Sequence, residues 1–210
     1  MSQNKAEQVI VAGPAGKIEA VLSSPAGAVQ GCAVIAHPHP LYGGTLDNKV
    51  VQTLSKAFVS LGYISVRFNF RGVGESDGVY DEGRGELEDF MSVLEYSKNR
   101  YTPQKWIYAG FSFGTYIVSH AAKLIAADQL VLIAPAAGKF DVADVPEDTL
   151  VVHGEHDDVV ELEEVFAWAR PQKLPVTVFP GAGHFFHGDL IKLQRVVTQH
   201  CRDHVVTPTA

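Results

Sequence analysis

Trp106-Ile107-Tyr108-Ala109-Gly110-Phe111-Ser112-Phe113-Gly114 decides the fold. An apolar run ends in Gly-x-Ser-x-Gly, and a helical pattern of Tyr116, Ile117, His120, Ala121 and Leu124 begins at once. The stretch predicts a strand, a sharp turn carrying a serine, and a helix. The two glycines allow strand and helix backbones to approach where a Cβ would not fit. The new helix aims free backbone N–H groups at the place where an anionic intermediate would form. The five-residue pattern is weak by itself in a glycine-rich chain, and the strand before it and helix after it give it weight.

Upstream, residues 8–12 and 17–22 flank Gly13-Pro14-Ala15-Gly16 and predict a hairpin with one solvated face. The apolar run 32–36 predicts a buried strand ending at His37-Pro38-His39-Pro40. Leu46, Val50, Leu54, Ala57, Phe58 and Leu61 predict a helix, with Thr45 or Asp47 at its start and Gly62 at its end. Residues 63–70 predict the next strand, and residues 84–98 a helix with Glu86, Glu88 and Asp89 in its first turn.

Downstream, strands are expected over 129–134, 150–153 and 176–179. Helices are expected at Leu162–Ala169, stopped by Pro171, and from Leu190 onward. Residues 205–210 read as a loose tail. Alternating strands and helices with continuously apolar central strands predict a single α/β domain. Its mostly parallel sheet of about eight strands carries helices on both faces. Right-handed crossovers then bring the strand ends to one edge, where ligands bind in such sheets.

At that edge the chain offers Ser112, an acid within Gly154-Glu155-His156-Asp157-Asp158-Val159-Val160, and His184 after Gly181-Ala182-Gly183. Serine, acid, histidine is the chain order for such a sheet. Serine needs a base in contact, histidine can take and return its proton, and a carboxylate fixes the imidazole tautomer. An oxyanion needs two N–H donors. Phe113 follows the serine and supplies one. Pro38 and Pro40 have no N–H, so His39 is favoured for the second, with Leu41 or Tyr42 as fallback. His187 is the fallback base. Tyr42 and Arg71 are candidate substrate contacts, while Arg67 and Arg71 with Glu86 and Asp89 are read as structural ion pairs or hydrogen bonds beneath the loops.

These stretches carry a resemblance. His37-Pro38-His39-Pro40 with Gly43-Gly44-Thr45, Arg67 through Ser76, Gly110 through Gly114, Gly154-Glu155-His156-Asp157 and Gly183-His184-Phe185-Phe186 resemble the small, lidless, dienelactone-hydrolase-like α/β-hydrolases. The resemblance implies hydrolysis of an ester, thioester or similar acyl bond through an acyl-serine. The family's Gly-x-x-Asp-x-x-Val pattern falls on Gly154, Asp157 and Val160, which selects Asp157 over Asp158. Dienelactone hydrolases proper carry cysteine where this chain has Ser112. Only fifteen residues separate Ala134 from Leu150, so no cap domain is expected and the site should be open.

The totals agree. The chain has 210 residues, 46% hydrophobic and 20% charged, with net charge −7, which argues against nucleic acid or anionic membrane as partner. Residues 1–8 lack the apolar core of a signal peptide, and no apolar run approaches the length of a membrane span. A cytoplasmic enzyme acting on a small-molecule acyl substrate, as a monomer or homodimer, is expected. Cys32 and Cys201 read as small core hydrophobes. The His37-x-His39 pair is not read as a metal site, and neither metal nor cofactor is expected. The competing expectations are an idle binding module on the same fold and an acyltransferase or perhydrolase using the same serine.

Overall fold

The computed structural model describes residues 5–102 and 105–203; the expected tail at 205–210 lies outside them. Eight strands form one sheet: β1 (Lys5–Gly13), β2 (Gly16–Ser24), β3 (Gly31–Ala36), β4 (Tyr63–Phe68), β5 (Trp106–Phe111), β6 (Gln129–Ile133), β7 (Leu150–Gly154) and β8 (Thr177–Phe179). Their order is β1-β2-β4-β3-β5-β6-β7-β8. The β1–β2 and β2–β4 pairs are antiparallel, and every pair from β4–β3 to β7–β8 is parallel.

Five helices cover the sheet: α1 (Lys49–Ser60), α2 (Arg84–Arg100), α3 (Phe113–Leu124), α4 (Leu162–Gln172) and α5 (Leu190–Asp203). Strand alternation sorts the core into two layers. Ala33 and Ile35 of β3, with Ala109 and Phe111 of β5, pack under α1 and α5. Cys32, Val34 and Ala36, with Tyr108, pack under α2 and α3. Val151 meets Val165 of α4 on that second side. Cys32 and Cys201 are fully buried free thiols in opposite layers, each pushed up to about 12 by burial.

Several boundaries differ from the sequence expectation. The cap of α1 is Asn48, whose Oδ1 accepts from the Val50 N–H at 2.8 Å, not Thr45 or Asp47. Leu46 and Asp47 belong to the turn before it, where Leu46 N–H is taken by Asn69 Oδ1. Pro171 lies inside the last turn of α4 rather than ending it, and the helix closes at Lys173 in the left-handed region. Glu86 does not pair with an arginine. It is fully buried, and its two oxygens accept the Asp81 and Gly83 N–H groups, satisfying donors just before α2.

Between β6 and β7, residues 134–149 carry one isolated bridge, Ala137 to Phe140, and no cap domain is present among the described residues. No helix of those residues is long and apolar enough to cross a membrane.

Candidate active site

The parallel strands β3, β4, β5, β7 and β8 end on one edge, and each candidate residue follows one of them. Ser112 stands between β5 and α3 at φ 53° and ψ −120°, in the region that disfavours a side chain. Surrounding bonds hold it there. Its N–H donates to Ile133 O at 2.9 Å, and its C=O accepts from the Thr115 N–H at 2.8 Å and the Thr115 hydroxyl at 2.6 Å. The glycines explain the close approach. A Cβ on Gly110 would lie 2.4 Å from Gly114 O, and one on Gly114 would lie 2.3 Å from Ala36 O and 2.9 Å from His37 O.

The same approach brings the start of α3 against the loop after β3. The rings of His39 and Phe113 lie 5.0 Å apart. Leu41 N–H donates to His39 Nδ1 at 3.2 Å and Tyr42 N–H to His39 O at 3.1 Å. Both fallback donors are therefore engaged, whereas the His39 and Phe113 N–H groups make no hydrogen bond among the described residues. His37 is buried and used internally: Nδ1 donates to Pro38 O at 2.5 Å, and Nε2 accepts from the Phe70 N–H at 3.1 Å. Burial pushes its pKa down to about 4, so it stays neutral.

The acid and histidine loops are stitched together. His156 N–H donates to Ala182 O at 2.9 Å, and Glu155 N–H to Phe179 O at 3.0 Å. A Cβ on Gly154 would meet Ala182 O at 2.4 Å, which is why the strand ends in glycine here. His184 Nδ1 then lies 2.7 Å from Asp157 Oδ2. The other oxygen, Oδ1, accepts from the Val159 and Val160 N–H groups at 2.9 and 2.8 Å. Asp158 and His187 are exposed. Burial pushes the Asp157 carboxyl up, but the hydrogen bonds from His184, Val160 and Val159 outweigh it and leave it below its ordinary value. The His184 ring packs 5.0 Å from Phe111, the residue before Ser112, and 5.1 Å from Phe185. With Nδ1 donating to the carboxylate, His184 Nε2 carries the lone pair a base needs.

The weaker candidates separate. Tyr42 is 86% exposed, its ring 4.7 Å from that of His39. Arg71 lies beneath the loop: Nε and Nη2 donate to Asp89 at 3.1 and 2.9 Å, and Nη2 also to Glu88 at 3.2 Å. Arg67 pairs with Asp47 at 3.2 Å and donates to Leu46 O. His153, which sequence analysis did not single out, is fully buried with Nε2 3.5 Å from Asp157 Oδ2. Only its place as the last residue before Gly154 on a buried strand could have drawn notice.

This sheet, with its serine elbow and no cap, defines a lidless α/β serine hydrolase. A family model described as X-Pro dipeptidyl-peptidase (S15 family) matches residues 16–173, and the chain belongs to that family. Solved structures are similar over nearly their whole length. An α/β serine hydrolase without a lid from Xanthomonas campestris is 32% identical with TM-score 0.91, covering 99% of this chain and 98% of that one. An α/β serine hydrolase homologue from Coxiella burnetii is 41% identical with TM-score 0.86, covering 92% and 96%. An uncharacterized protein of Rickettsia prowazekii is 31% identical over 194 residues, 85% of this chain and 82% of that protein.

Proposed function

We propose that this chain hydrolyses a small ester, thioester or related acyl bond through an acyl-serine formed on Ser112, with His184 as base and Asp157 as its acid partner. The observation that carries the reading is the 2.7 Å contact between His184 Nδ1 and Asp157 Oδ2, with the His184 ring packed 5.0 Å from Phe111, the residue before the strained Ser112. His184 Nε2 takes the Ser112 proton as Oγ attacks the acyl carbon. The carbonyl oxygen becomes an oxyanion facing the Phe113 and His39 N–H groups. His184 then gives its proton to the leaving group, and the bond to that group breaks. Water repeats the sequence in reverse, releasing the acid and restoring Ser112. Asp157 keeps its charge throughout and steadies the imidazolium. These steps need no cofactor.

The rim of the edge favours a neutral acyl group. Leu41, Tyr42, Val79 and Phe185 are exposed apolar side chains on the loops after β3, β4 and β8. Tyr42 is the contact proposed for the substrate. Arg71, bound to Asp89 and Glu88, supports the loop and would reach a substrate carboxylate only by leaving them. The chain acts as a single domain. The family match favours a second reading, cleavage after an Xaa-Pro dipeptide.

The test is labelling with a fluorophosphonate probe, with turnover of p-nitrophenyl acetate and butyrate and of Ala-Pro-p-nitroanilide alongside. Ester turnover and labelling that vanish in Ser112→Ala and fall sharply in His184→Ala support the reading. Preference for the anilide would favour the peptidase. Product transfer to added alcohol or peroxide would mark an acyltransferase or perhydrolase. No labelling of folded wild type would leave the idle module.

A further inference from the structure

His153 lies near the end of β7, four residues before Asp157, and its side chain is fully buried. Its Nε2 is 2.9 Å from Val160 O, so that nitrogen carries the proton and donates it to the far end of the acid loop. The same nitrogen is 3.5 Å from Asp157 Oδ2, the oxygen that holds His184. The proton goes to Val160, so Asp157 Oδ2 receives no second hydrogen bond beside that from His184. It faces the positive N–H edge of a neutral ring. The other nitrogen, Nδ1, is buried without a partner, as the unprotonated atom of this tautomer. A buried polar atom without a partner costs free energy that an apolar side chain would avoid.

We propose that His153 is a positioning residue for the Ser112, His184 and Asp157 centre: it ties Val160 to β7 and so closes the acid loop, and its N–H edge tempers the charge that Asp157 presents to His184. This rests on the hydrolase reading above. The loop is held twice just after Asp157. Val159 and Val160 N–H groups fix Oδ1, while His153 fixes the carbonyl of that same Val160. The titratable groups that face His153 are Asp157 on its own loop and His184 on the loop after β8. Burial holds its pKa below the ordinary value, with Val160 and Asp157 opposing and His184 reinforcing the shift. It therefore stays neutral while His184 becomes charged, and two adjacent imidazolium rings are avoided.

The sign of the effect follows. An N–H edge beside Oδ2 draws on the charge that Asp157 offers His184. Without it Asp157 binds the His184 proton more tightly, and the acid limb of the rate profile moves to higher pH.

The experiment measures the rate of fluorophosphonate labelling against pH for wild type, His153→Leu and His153→Gln. Glutamine can place an N–H where Nε2 stands. His153→Leu is expected to label about tenfold slower at the plateau, as for loss of a bond that orders a charged group. Its acid limb should lie at higher pH, and His153→Gln should restore both. If leucine prevents folding, His153→Asn takes its place with the same expected shift, because its amide is too short to reach. An acid limb unmoved in a folded variant overturns the proposal, whatever the plateau rate. So does a glutamine variant that behaves like leucine. Wild type that fails to label overturns the hydrolase reading and this proposal together, and that result is distinct from the other two.

Discussion

Replacing Gly114 with alanine tests how the elbow is built. The added Cβ would stand 2.3 Å from Ala36 O and 2.7 Å from Ala36 C, where ordinary contact begins at 3.4 Å. Both are backbone atoms of β3, which pairs on both sides with β4 and β5 and cannot retreat. The first turn of α3 must therefore move by about 1 Å. Overpacking of this kind costs about 1–3 kcal/mol, which in a chain of this size lowers Tm by roughly 2–12 °C. The Phe113 N–H, on the same turn, moves with it. A displacement of about 1 Å at a reacting centre costs about 10²-fold, in line with loss of one oxyanion donor. The assay is kcat for p-nitrophenyl acetate at a temperature where urea denaturation shows the variant folded. Gly27→Ala is the control, since a Cβ there meets nothing within 4 Å. A folded Gly114→Ala enzyme with wild-type kcat would refute both the backbone argument and the proposed role of the Phe113 N–H.

Asp157→Asn should lower kcat by about 10⁴, because an amide fixes the wrong imidazole tautomer, while Asp158→Asn on the exposed neighbour should stay within about twofold. Arg71→Met leaves the buried Asp89 charge with only the residue-71 backbone N–H as partner, and urea unfolding should show a loss of about 3–5 kcal/mol, part of it recovered by Asp89→Asn in the same chain. His37 titrates at about 4 in the folded chain, against 6.5 ordinarily. The unfolded chain gains this proton first, so stability is complete above about pH 6.5 and falls as pH drops toward 4. The loss is about 3 kcal/mol at about 1.4 per pH unit. Urea unfolding at several pH values should show His37→Gln with a shallower loss than wild type.

Much of the architecture was legible because periodicity reports burial. The continuous apolar runs at 32–36, 107–111 and 129–133 became strands covered on both faces, and the alternation at 17–22 became the antiparallel strand β2. The helix caps were less legible. Thr45, Asp47 and Asn48 are all competent caps, and the choice of Asn48 depends on where Asn69, from another strand, takes the Leu46 N–H. Glu86 looked like an arginine partner, but whether a carboxylate meets a guanidinium or two amides depends on packing around it.

The sequence by itself determined the strand–serine–helix turn, the order of serine, acid and histidine, and the lack of room for a cap. Those follow from local backbone preference, spacing and chain length, which neighbours in sequence carry. The tertiary structure decided that the Leu41 and Tyr42 N–H groups are engaged while that of His39 is not. It also decided that Arg71 is held by Asp89 and that buried His153 faces the carboxylate bound to His184. Each of these depends on a hydrogen bond being taken or left open, and on distances between atoms brought together only when the loops close over the sheet edge.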